Sequence, residues 1–188
     1  MVLTVRQVVE LFHLVFLRSL VAKGDDKSLF ALKGGCNLRF HFGSVRYSED
    51  MDLDVRVVQR STLTHRVDRL LRAPVVLAPL AAQGIELVDV TAPKQTDTTQ
   101  RWKLGLVQKR RSPVRTKIEF SRRTVVSGVE LDVPIPGDLP RYGLSPFLAP
   151  HYGPPSAVAP KSAPRPIRPK RLAEPSSFGG SGFFSSSF

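Results

Sequence analysis

The sequence has a single cysteine, relatively few acidic residues and no long apolar run. The one thiol, Cys36, excludes a disulfide framework and is typical of a reducing compartment, so we expect a cytoplasmic location. The apolar stretch at residues 8–17 contains Glu10 and His13. It is shorter than the roughly 20 residues that a membrane-spanning helix needs, and no small-residue cleavage site follows it. We therefore predict a buried N-terminal helix rather than a targeting segment.

The histidines are also few, and their spacing excludes some chemistries. The four of them, at positions 13, 41, 65 and 151, show no metal-ligand spacing, so a zinc enzyme is not indicated. With one cysteine and no visible nucleophile arrangement, a serine or cysteine hydrolase is not indicated either. Acidic residues number 16 against 28 basic ones, which gives a net charge of +12. This surplus favours an anionic partner, such as a nucleotide, RNA, DNA or an acidic protein.

The most informative stretch runs from residue 33 to residue 55. A short apolar strand at 29–32 ends at Gly34 and Gly35, and residues 37–42 are predicted to form one to two helical turns. Residues 50–55 then alternate strictly between aspartate and an apolar residue. Because successive side chains of a strand point to opposite faces, Asp50, Asp52 and Asp54 are expected to line one face.

Three carboxylates on one face repel one another unless a positive charge lies on them. Oxygen ligands at this spacing suit a hard cation such as Mg²⁺, which uses one or two carboxylates together with substrate phosphates. The glycine turn before a helix offers backbone N–H groups to a phosphate. A turn that can bind a phosphate and a pair of carboxylates together indicate metal-assisted phosphoryl or nucleotidyl transfer.

Residues 32–55, LKGGCNLRFHFGSVRYSEDMDLDV, resemble the signature of the AbiEii-type nucleotidyltransferases, the toxins of bacterial abortive-infection and toxin–antitoxin pairs. The resemblance is dense over these residues, weaker from the N-terminus to about Phe120, and lost near the C-terminus. The matching positions are Lys33, Gly34, Gly35, Arg46, Tyr47, Ser48, Asp50 and Asp52.

The resemblance implies a role for each matching residue except Tyr47. Asp50 and Asp52 are expected to be catalytic and to bind Mg²⁺. The triphosphate of the NTP is expected to bind to Gly34 and Gly35 together with Lys33, Arg46 and Ser48. Ser48 as a turn hydroxyl and Arg46 as a surface residue remain alternatives, and a metal role for Asp54 stays open.

The resemblance also implies a third carboxylate, supplied by a later strand beside the strand of Asp50 and Asp52. Glu119, in the segment KIEF, occupies that place in the order of elements and is predicted to complete the metal site or to act as the base. The alternative is a cross-strand ion pair with Arg115 or Lys117.

The remaining elements follow from apolar periodicity and turn residues. Helices are predicted over 3–22, 61–73 (with Ser61 as N-cap) and 75–82, strands over 85–91, 100–107, 114–120 and 125–133, a polar connection over 93–99, and a basic turn over 109–113. The expected fold class is α/β, a minimal nucleotidyltransferase fold with a small mixed sheet flanked by helices.

The C-terminal part differs in composition. Twelve of the sixteen prolines lie between Pro134 and Pro175. We expect a nucleotidyltransferase-like domain over 1–150 and a disordered, basic tail rich in Pro, Ser and Gly over 151–188. Relatives usually continue into a helical region, so a frameshifted or truncated end is an additional hypothesis.

The expected function is metal-dependent transfer of a nucleotidyl group from an NTP to an acceptor hydroxyl. The resemblance implies RNA (tRNA-like) as the acceptor and a cognate antitoxin protein as partner. Two alternatives remain open. One is a non-catalytic basic domain that binds RNA or an antitoxin. The other is a structural domain whose aspartates hold one ion for stability.

Overall fold

A computed structural model describes residues 2–22, 29–56, 58–108, 111–122, 128–135 and 139–154. The helices are α1 (Val5–Leu20), α2 (Gly34–His41), α3 (Arg60–Leu71), α4 (Pro74–Ala82) and a 3-10 turn (Pro140–Tyr142). The strands are β1 (Phe30–Lys33), β2 (Asp50–Val55), β3 (Ile85–Gln95), β4 (Thr99–Gln108), β5 (Val114–Ser121), β6 (Val129–Asp132) and β7 (Ala149–Tyr152). None of these helices is long and apolar enough to cross a membrane.

The strands form one mixed sheet in the order β3-β4-β5-β2-β1-β7-β6. β2 pairs in parallel with β5, and β1 pairs in parallel with β7, while the other neighbouring pairs are antiparallel. This mixed sheet with packed helices confirms the predicted α/β class. Because β2 lies between β1 and β5, its aspartates are flanked on both sides by other strands.

The core joins the apolar face of the sheet to the helices. α1 is buried along most of its length and contacts α3, α4, β4 and β5. The central strands contribute fully buried side chains to the same cluster, among them Met51, Trp102 and Phe120. The alternation in β2 is as predicted, since Met51 and Leu53 are fully buried whereas Asp50 and Asp52 are partly exposed.

Several element boundaries differ from the sequence-based prediction. α2 begins at Gly34 rather than at residue 37, because the extended residue Lys33 leads straight from β1 into the helix. The N-cap of α3 is Gln59, so the predicted Ser61 cap is wrong. β3 continues through Pro93 to Gln95, where a polar connection was predicted. Proline is compatible with a strand at the edge of a sheet, and β3 is such an edge.

The proline-rich composition after residue 134 does not prevent folding up to residue 154. Pro140 begins the 3-10 turn, and Leu139, Tyr142 and Leu144 are buried in the core. β7 then adds to β1, so the predicted domain boundary at residue 150 lies inside a strand. These side chains bury apolar surface although the segment's composition is typical of disorder. The predicted disordered region from residue 155 onward, residues 109–110 of the predicted basic turn, and residues 123–127 near the predicted last strand lie outside the described residues.

Candidate active site

The site forms at the end of the central strands, where β1 ends and where β2 and β5 begin. A pocket of about 860 Å³ opens there, bounded by the start of α1, the first turn of α2, the 44–48 loop and the first residues of β2 and β5. Among the predicted site residues, it is lined by Gly34, Gly35, Arg46, Ser48, Asp50 and Asp52. The structure therefore brings together six of the eight predicted side chains or backbone positions in one pocket.

The two glycines allow other residues to pack against the backbone of α2. A Cβ atom at Gly34 would lie 3.0 Å from Asp52 Oδ2, and the φ angle of Gly34 is +67°, which favours glycine. A Cβ atom at Gly35 would lie 2.5 Å from Ser48 Oγ. Because the first N–H groups of a helix have no partner within the helix, the start of α2 is suited to bind an anion at this pocket.

Lys117 neutralises one of the two pocket carboxylates. Its Nζ lies 2.6 Å from Asp50 Oδ2, across the parallel β2–β5 pair. This hydrogen bond, with the nearby carboxylate charge, raises the pKa of Lys117 above its usual value. Lys117 therefore stays charged and directed at Asp50 over the physiological pH range. The sequence placed Lys117 on the same face as Glu119, but it contained no signal that Asp50 is its partner.

Asp54 and Lys33 form a separate, partly buried cluster. Lys33 Nζ forms an ion pair with Asp54 and donates a hydrogen bond to Ser121 Oγ at 2.9 Å. The hydroxyl of Tyr152 donates to Asp54 Oδ2 at 2.7 Å. Neither Lys33 nor Asp54 is among the residues that line the pocket. The Lys33 ammonium is held by the third carboxylate of the row, and its role in binding a triphosphate stays a prediction.

Glu119 lies on the same face as Asp52, but it is held by an arginine. The two residues are register partners in the β2–β5 pair, as the order of elements suggested. Arg101 of β4 donates to Glu119 Oε2 from Nε at 2.8 Å and from its terminal nitrogen at 2.6 Å. The ion-pair alternative therefore describes this geometry, although the partner is Arg101 rather than Arg115 or Lys117. The register of β4 on β5 decides this pairing, and local sequence does not reveal it.

The carboxylates fit a magnesium ion as a pair rather than as a triad. In the described part of the chain, no three His, Cys, Asp or Glu side chains converge closely enough to share a metal. Asp50 and Asp52 nevertheless line one pocket beside the bare glycine backbone. Mg²⁺ in proteins is commonly coordinated by one or two carboxylates, while phosphate oxygens and water molecules complete its octahedral coordination.

Arginines supply positive charge to the pocket wall. Arg46, predicted from the motif, is exposed there, and no side chain or backbone group in the described ranges bonds its guanidinium. Arg6 of α1 and Arg115 of β5 also line the pocket. Sequence reasoning missed Arg6, because its position at the start of a core helix carries no motif. The pocket thus combines carboxylates with a guanidinium available for an anion.

A buried ion pair supports the loop that carries Arg46. Arg39 of α2 donates to Glu10 Oε1 at 2.6 Å and to the carbonyl oxygen of Ser44 at 3.0 Å. Its guanidinium also lies 4.6 Å from the ring centroid of Tyr47. The hydroxyl of Tyr142 donates to the other Glu10 oxygen at 2.6 Å. This network links α1 and α2 to the pocket loop, and nothing in the spacing of these residues predicted it.

Two hydroxyl groups and one thiol group donate hydrogen bonds to the backbone carbonyl oxygens of Glu49 and Asp50. Ser48 Oγ donates to the carbonyl oxygen of Asp50 at 2.7 Å, which is the turn-hydroxyl alternative for Ser48. Cys36 Sγ donates to the same oxygen at 3.2 Å, and Thr116 Oγ1 donates to the carbonyl oxygen of Glu49 at 2.7 Å. The first residue of β2 is therefore fixed in place from beneath the pocket.

His13 lies under this network and must be neutral. Its Nε2 lies 2.8 Å from Thr116 Oγ1, and because the Thr116 hydroxyl donates to Glu49, His13 Nε2 carries the proton and donates. Nδ1 faces Cys36 Sγ at 3.4 Å. Complete burial lowers the pKa of His13 to about 3 and raises the pKa of the Cys36 thiol.

The neutral His13 predicts a loss of stability in mild acid. Below pH 6.5 the unfolded state binds a proton at His13 that the folded state does not bind until about pH 3, so the free energy of unfolding falls as the pH falls. From pH 6.5 to 5 this costs about 2 kcal/mol. Urea unfolding should show that decrease, and His13→Gln, whose amide can still donate to Thr116, should reduce the decrease by that amount. Equal pH dependence in both proteins would contradict the assignment.

A protein-family model and several solved structures match this chain. The family model described as "Nucleotidyl transferase AbiEii toxin, Type IV TA system" matches residues 15–161. The chain belongs to the AbiEii family. The matched span contains the glycine pair, the 44–48 loop, both pocket aspartates and β7. Comparison with curated proteins found no match.

Two solved structures share the fold of this AbiEii chain. MenT4, a nucleotidyltransferase toxin from Mycobacterium tuberculosis, is 21% identical with a TM-score of 0.56, over 81% of this chain and 50% of that one. A putative nucleotidyltransferase from H. pylori is 22% identical with a TM-score of 0.52, over 78% of this chain and 52% of that one. This sequence therefore spans about half the length of these relatives.

Proposed function

We propose that this AbiEii-family chain transfers a nucleotidyl group from an NTP to the hydroxyl of an RNA acceptor. One pocket brings the backbone of Gly34 and Gly35 together with Asp50, Asp52 and the guanidinium of Arg46. This arrangement is the observation that supports the proposal. A polar pocket with carboxylates, helix N–H groups and an arginine suits a metal-bound triphosphate. The chain would act as a toxin that a cognate antitoxin restrains.

In the proposed reaction, the acceptor hydroxyl oxygen forms a bond to the α-phosphorus of the NTP. The bond from that phosphorus to the oxygen bridging the α- and β-phosphates breaks, pyrophosphate leaves with the electron pair, and the hydroxyl proton passes to solvent. Magnesium, held by Asp50 and Asp52, would stabilise charge on the attacking and leaving oxygens. The chain's own groups would position the substrates, and positioning supplies much of the acceleration in such transfers.

Each pocket residue has a separate task in this proposal. Gly34 and Gly35 bring backbone N–H groups to the triphosphate, and Arg46 offsets its negative charge. Ser48 positions Asp50 through the 2.7 Å bond to its carbonyl oxygen. Lys117 orients the carboxylate of Asp50. Glu119 has its direct contact with Arg101, so the proposal rests on Asp50 and Asp52.

The proposal is tested by incubating the protein with Mg²⁺, each α-³²P-labelled NTP in turn, and total bacterial RNA. Label that enters an RNA band only when Mg²⁺ is present and EDTA is absent would support it and would name the base. Absence of label with all four NTPs would contradict it.

A second candidate, a non-catalytic RNA-binding or antitoxin-binding domain, is favoured by one observation. Asp50 and Glu119 both form ion pairs with basic side chains, Lys117 and Arg101, so neither depends on a metal for charge compensation. This candidate predicts RNA binding that Asp50→Ala leaves unchanged, together with no NTP turnover. The labelling experiment therefore distinguishes the two candidates.

Gly35→Ala should weaken nucleotide binding. The new methyl group would lie 2.5 Å from Ser48 Oγ and 3.0 Å from Ser48 Cβ, so Ser48 has to move and its bond to Asp50 is lost. We expect the Kd for a fluorescent NTP analogue to rise by about tenfold, equivalent to about 1.4 kcal/mol. The double variant Gly35→Ala/Ser48→Gly should recover part of the affinity.

Gly143→Ala is the matched control for this prediction. Gly143 also has a positive φ angle, of +67°, but nothing lies within 4 Å of its added Cβ, and it is not among the residues that line the pocket. It should lower stability by roughly 1–2 kcal/mol without changing the Kd. An equal rise of the Kd in Gly35→Ala and Gly143→Ala would show that the effect is not local to the glycine pair at the start of α2.

A further inference from the structure

A second pocket, of about 490 Å³, meets the first one at Asp50. The two pockets share Glu49, Asp50 and Arg115, while the second adds Lys103 and Lys117 with two threonines. Asp50 thus lies at the boundary between the glycine-lined pocket and a compartment walled by the strands β4 and β5. A transfer between two substrates requires such a second compartment beside the same carboxylate.

Four basic side chains lie along this wall or next to it, and we call them the basic face: Arg101, Lys103, Arg115 and Lys117. All of them except Arg101 line the second pocket. They occupy alternate positions of β4 and β5, so all four project from the same side of the sheet as Asp50 and Asp52. Lys103 lies directly opposite Lys117, and Lys117 lies directly opposite Asp50. One row of the sheet therefore leads from Lys103 to the pocket carboxylate.

Three members of the basic face have carboxylate partners, and the fourth has none among the described residues. Arg101 pairs with Glu119, Arg115 with Asp89, and Lys117 with Asp50. Lys103 is exposed and stands opposite another lysine. Like charges directly opposite each other on neighbouring strands are destabilising. An anion bound over Lys103 and Lys117 would offset that repulsion.

Protection of a sheet edge does not explain these charges. Lysines commonly prevent pairing at exposed edge strands. However, β4 and β5 are interior strands, because β3 lies outside β4 and β2 lies beyond β5. No aromatic side chain is among the described residues that line the second pocket, so stacking with bases is not provided there. The chemistry of this wall suits phosphate groups rather than bases.

We propose that the basic face binds the backbone phosphates of the nucleic-acid acceptor and directs its terminal hydroxyl towards Asp50. The delivery of the hydroxyl rests on the proposed transferase function, whereas the binding of the nucleic acid does not. Phosphate contacts of this kind fix the position of a strand without reading its sequence. Binding should therefore depend strongly on salt and little on base composition.

The test measures binding of the full chain to a fluorescein-labelled single-stranded oligoribonucleotide by anisotropy, in EDTA and without NTP. Lys103→Ala should raise the Kd several-fold and reduce the slope of log K against log salt by about 0.7, the value for one phosphate contact on a single strand. Lys103→Glu should raise the Kd further. Arg69→Ala, on the exposed side of α3, is the matched control and should leave both quantities near those of the wild type.

The outcomes separate this inference from the proposed function. Binding that depends on Lys103 supports the basic face even if no NTP labels RNA, a result that would contradict only the transferase proposal. Equal Kd values and slopes for the wild type, Lys103→Glu and Arg69→Ala would overturn the inference. Competition by polyglutamate as effective as by unlabelled RNA of equal charge would also overturn it, in favour of an acidic protein as the partner.

Discussion

Asp52→Asn is expected to reduce nucleotidyl transfer by about 10²–10³-fold, equivalent to about 3–4 kcal/mol of transition-state stabilisation. The change removes one charge from the pocket and preserves the volume of the side chain. Preserved volume matters because Asp52 Oδ2 lies only 3.0 Å from the position of a Cβ at Gly34. The measurement is the initial rate of label transfer to RNA at saturating Mg²⁺, with circular dichroism to verify folding.

Asp54→Asn is the matched control for this prediction. Asp54 belongs to the same alternating row, but its carboxylate binds Lys33 and Tyr152 and is not among the residues that line the pocket. Its substitution should lower stability, because the charge of Lys33 loses its carboxylate, and should leave the transfer rate of the folded protein within a few-fold. Equal loss of transfer in both variants would show that the row acts as a unit. Full activity of Asp52→Asn would contradict the assignment of this pocket.

Glu10→Ala is expected to lower the free energy of unfolding by about 3–5 kcal/mol, because it removes one partner of a buried ion pair. Glu10 is 2% exposed, and its two oxygens accept hydrogen bonds from Arg39 and Tyr142, both at 2.6 Å. The substitution removes the buried carboxylate that pairs with the guanidinium of Arg39. Urea unfolding at pH 7 measures the loss.

Two further variants define the cause of that loss. Glu86→Ala, at an exposed position of β3, should change stability by no more than about 0.5 kcal/mol. Glu10→Gln keeps the volume and part of the hydrogen bonding, and it should fall between Glu10→Ala and the wild type. If Glu10→Ala is as stable as Glu86→Ala, the Glu10–Arg39 pair does not stabilise the fold.

The Glu10 network also connects stability to the pocket. Arg39 binds the carbonyl oxygen of Ser44 and lies over the ring of Tyr47, both of which line the pocket. Loss of Glu10 should therefore loosen the loop that carries Arg46. The sequence offered no indication of this, since Glu10 lies in a predicted core helix and its partners are 29 and 132 residues away.

Local patterns predicted the elements around the site well. Strict alternation placed Asp50 and Asp52 on one face of β2 and put Met51 and Leu53 in the core, as the structure shows. The glycine pair correctly marked the passage from β1 to α2. Such predictions succeed because the periodicity of a strand or helix is a property of neighbouring residues.

Composition was a poorer guide than periodicity after residue 134. The proline content led to a predicted disordered tail from residue 151, yet His151 and Tyr152 are buried. Tyr152 also reaches Asp54, 98 residues earlier in the chain. The average properties of a segment do not reveal that a few of its residues meet a surface made elsewhere.

The sequence by itself determined which residues share a strand face and where the backbone lacks side chains, because both depend on residues close together in the chain. Only the tertiary structure decided how the charges are paired: Lys33 with Asp54, Lys117 with Asp50, and Arg101 with Glu119. These pairings follow from the register of strands separated by loops and helices. A shift of one residue in register would turn each of these side chains to the opposite face, so local sequence alone cannot specify them.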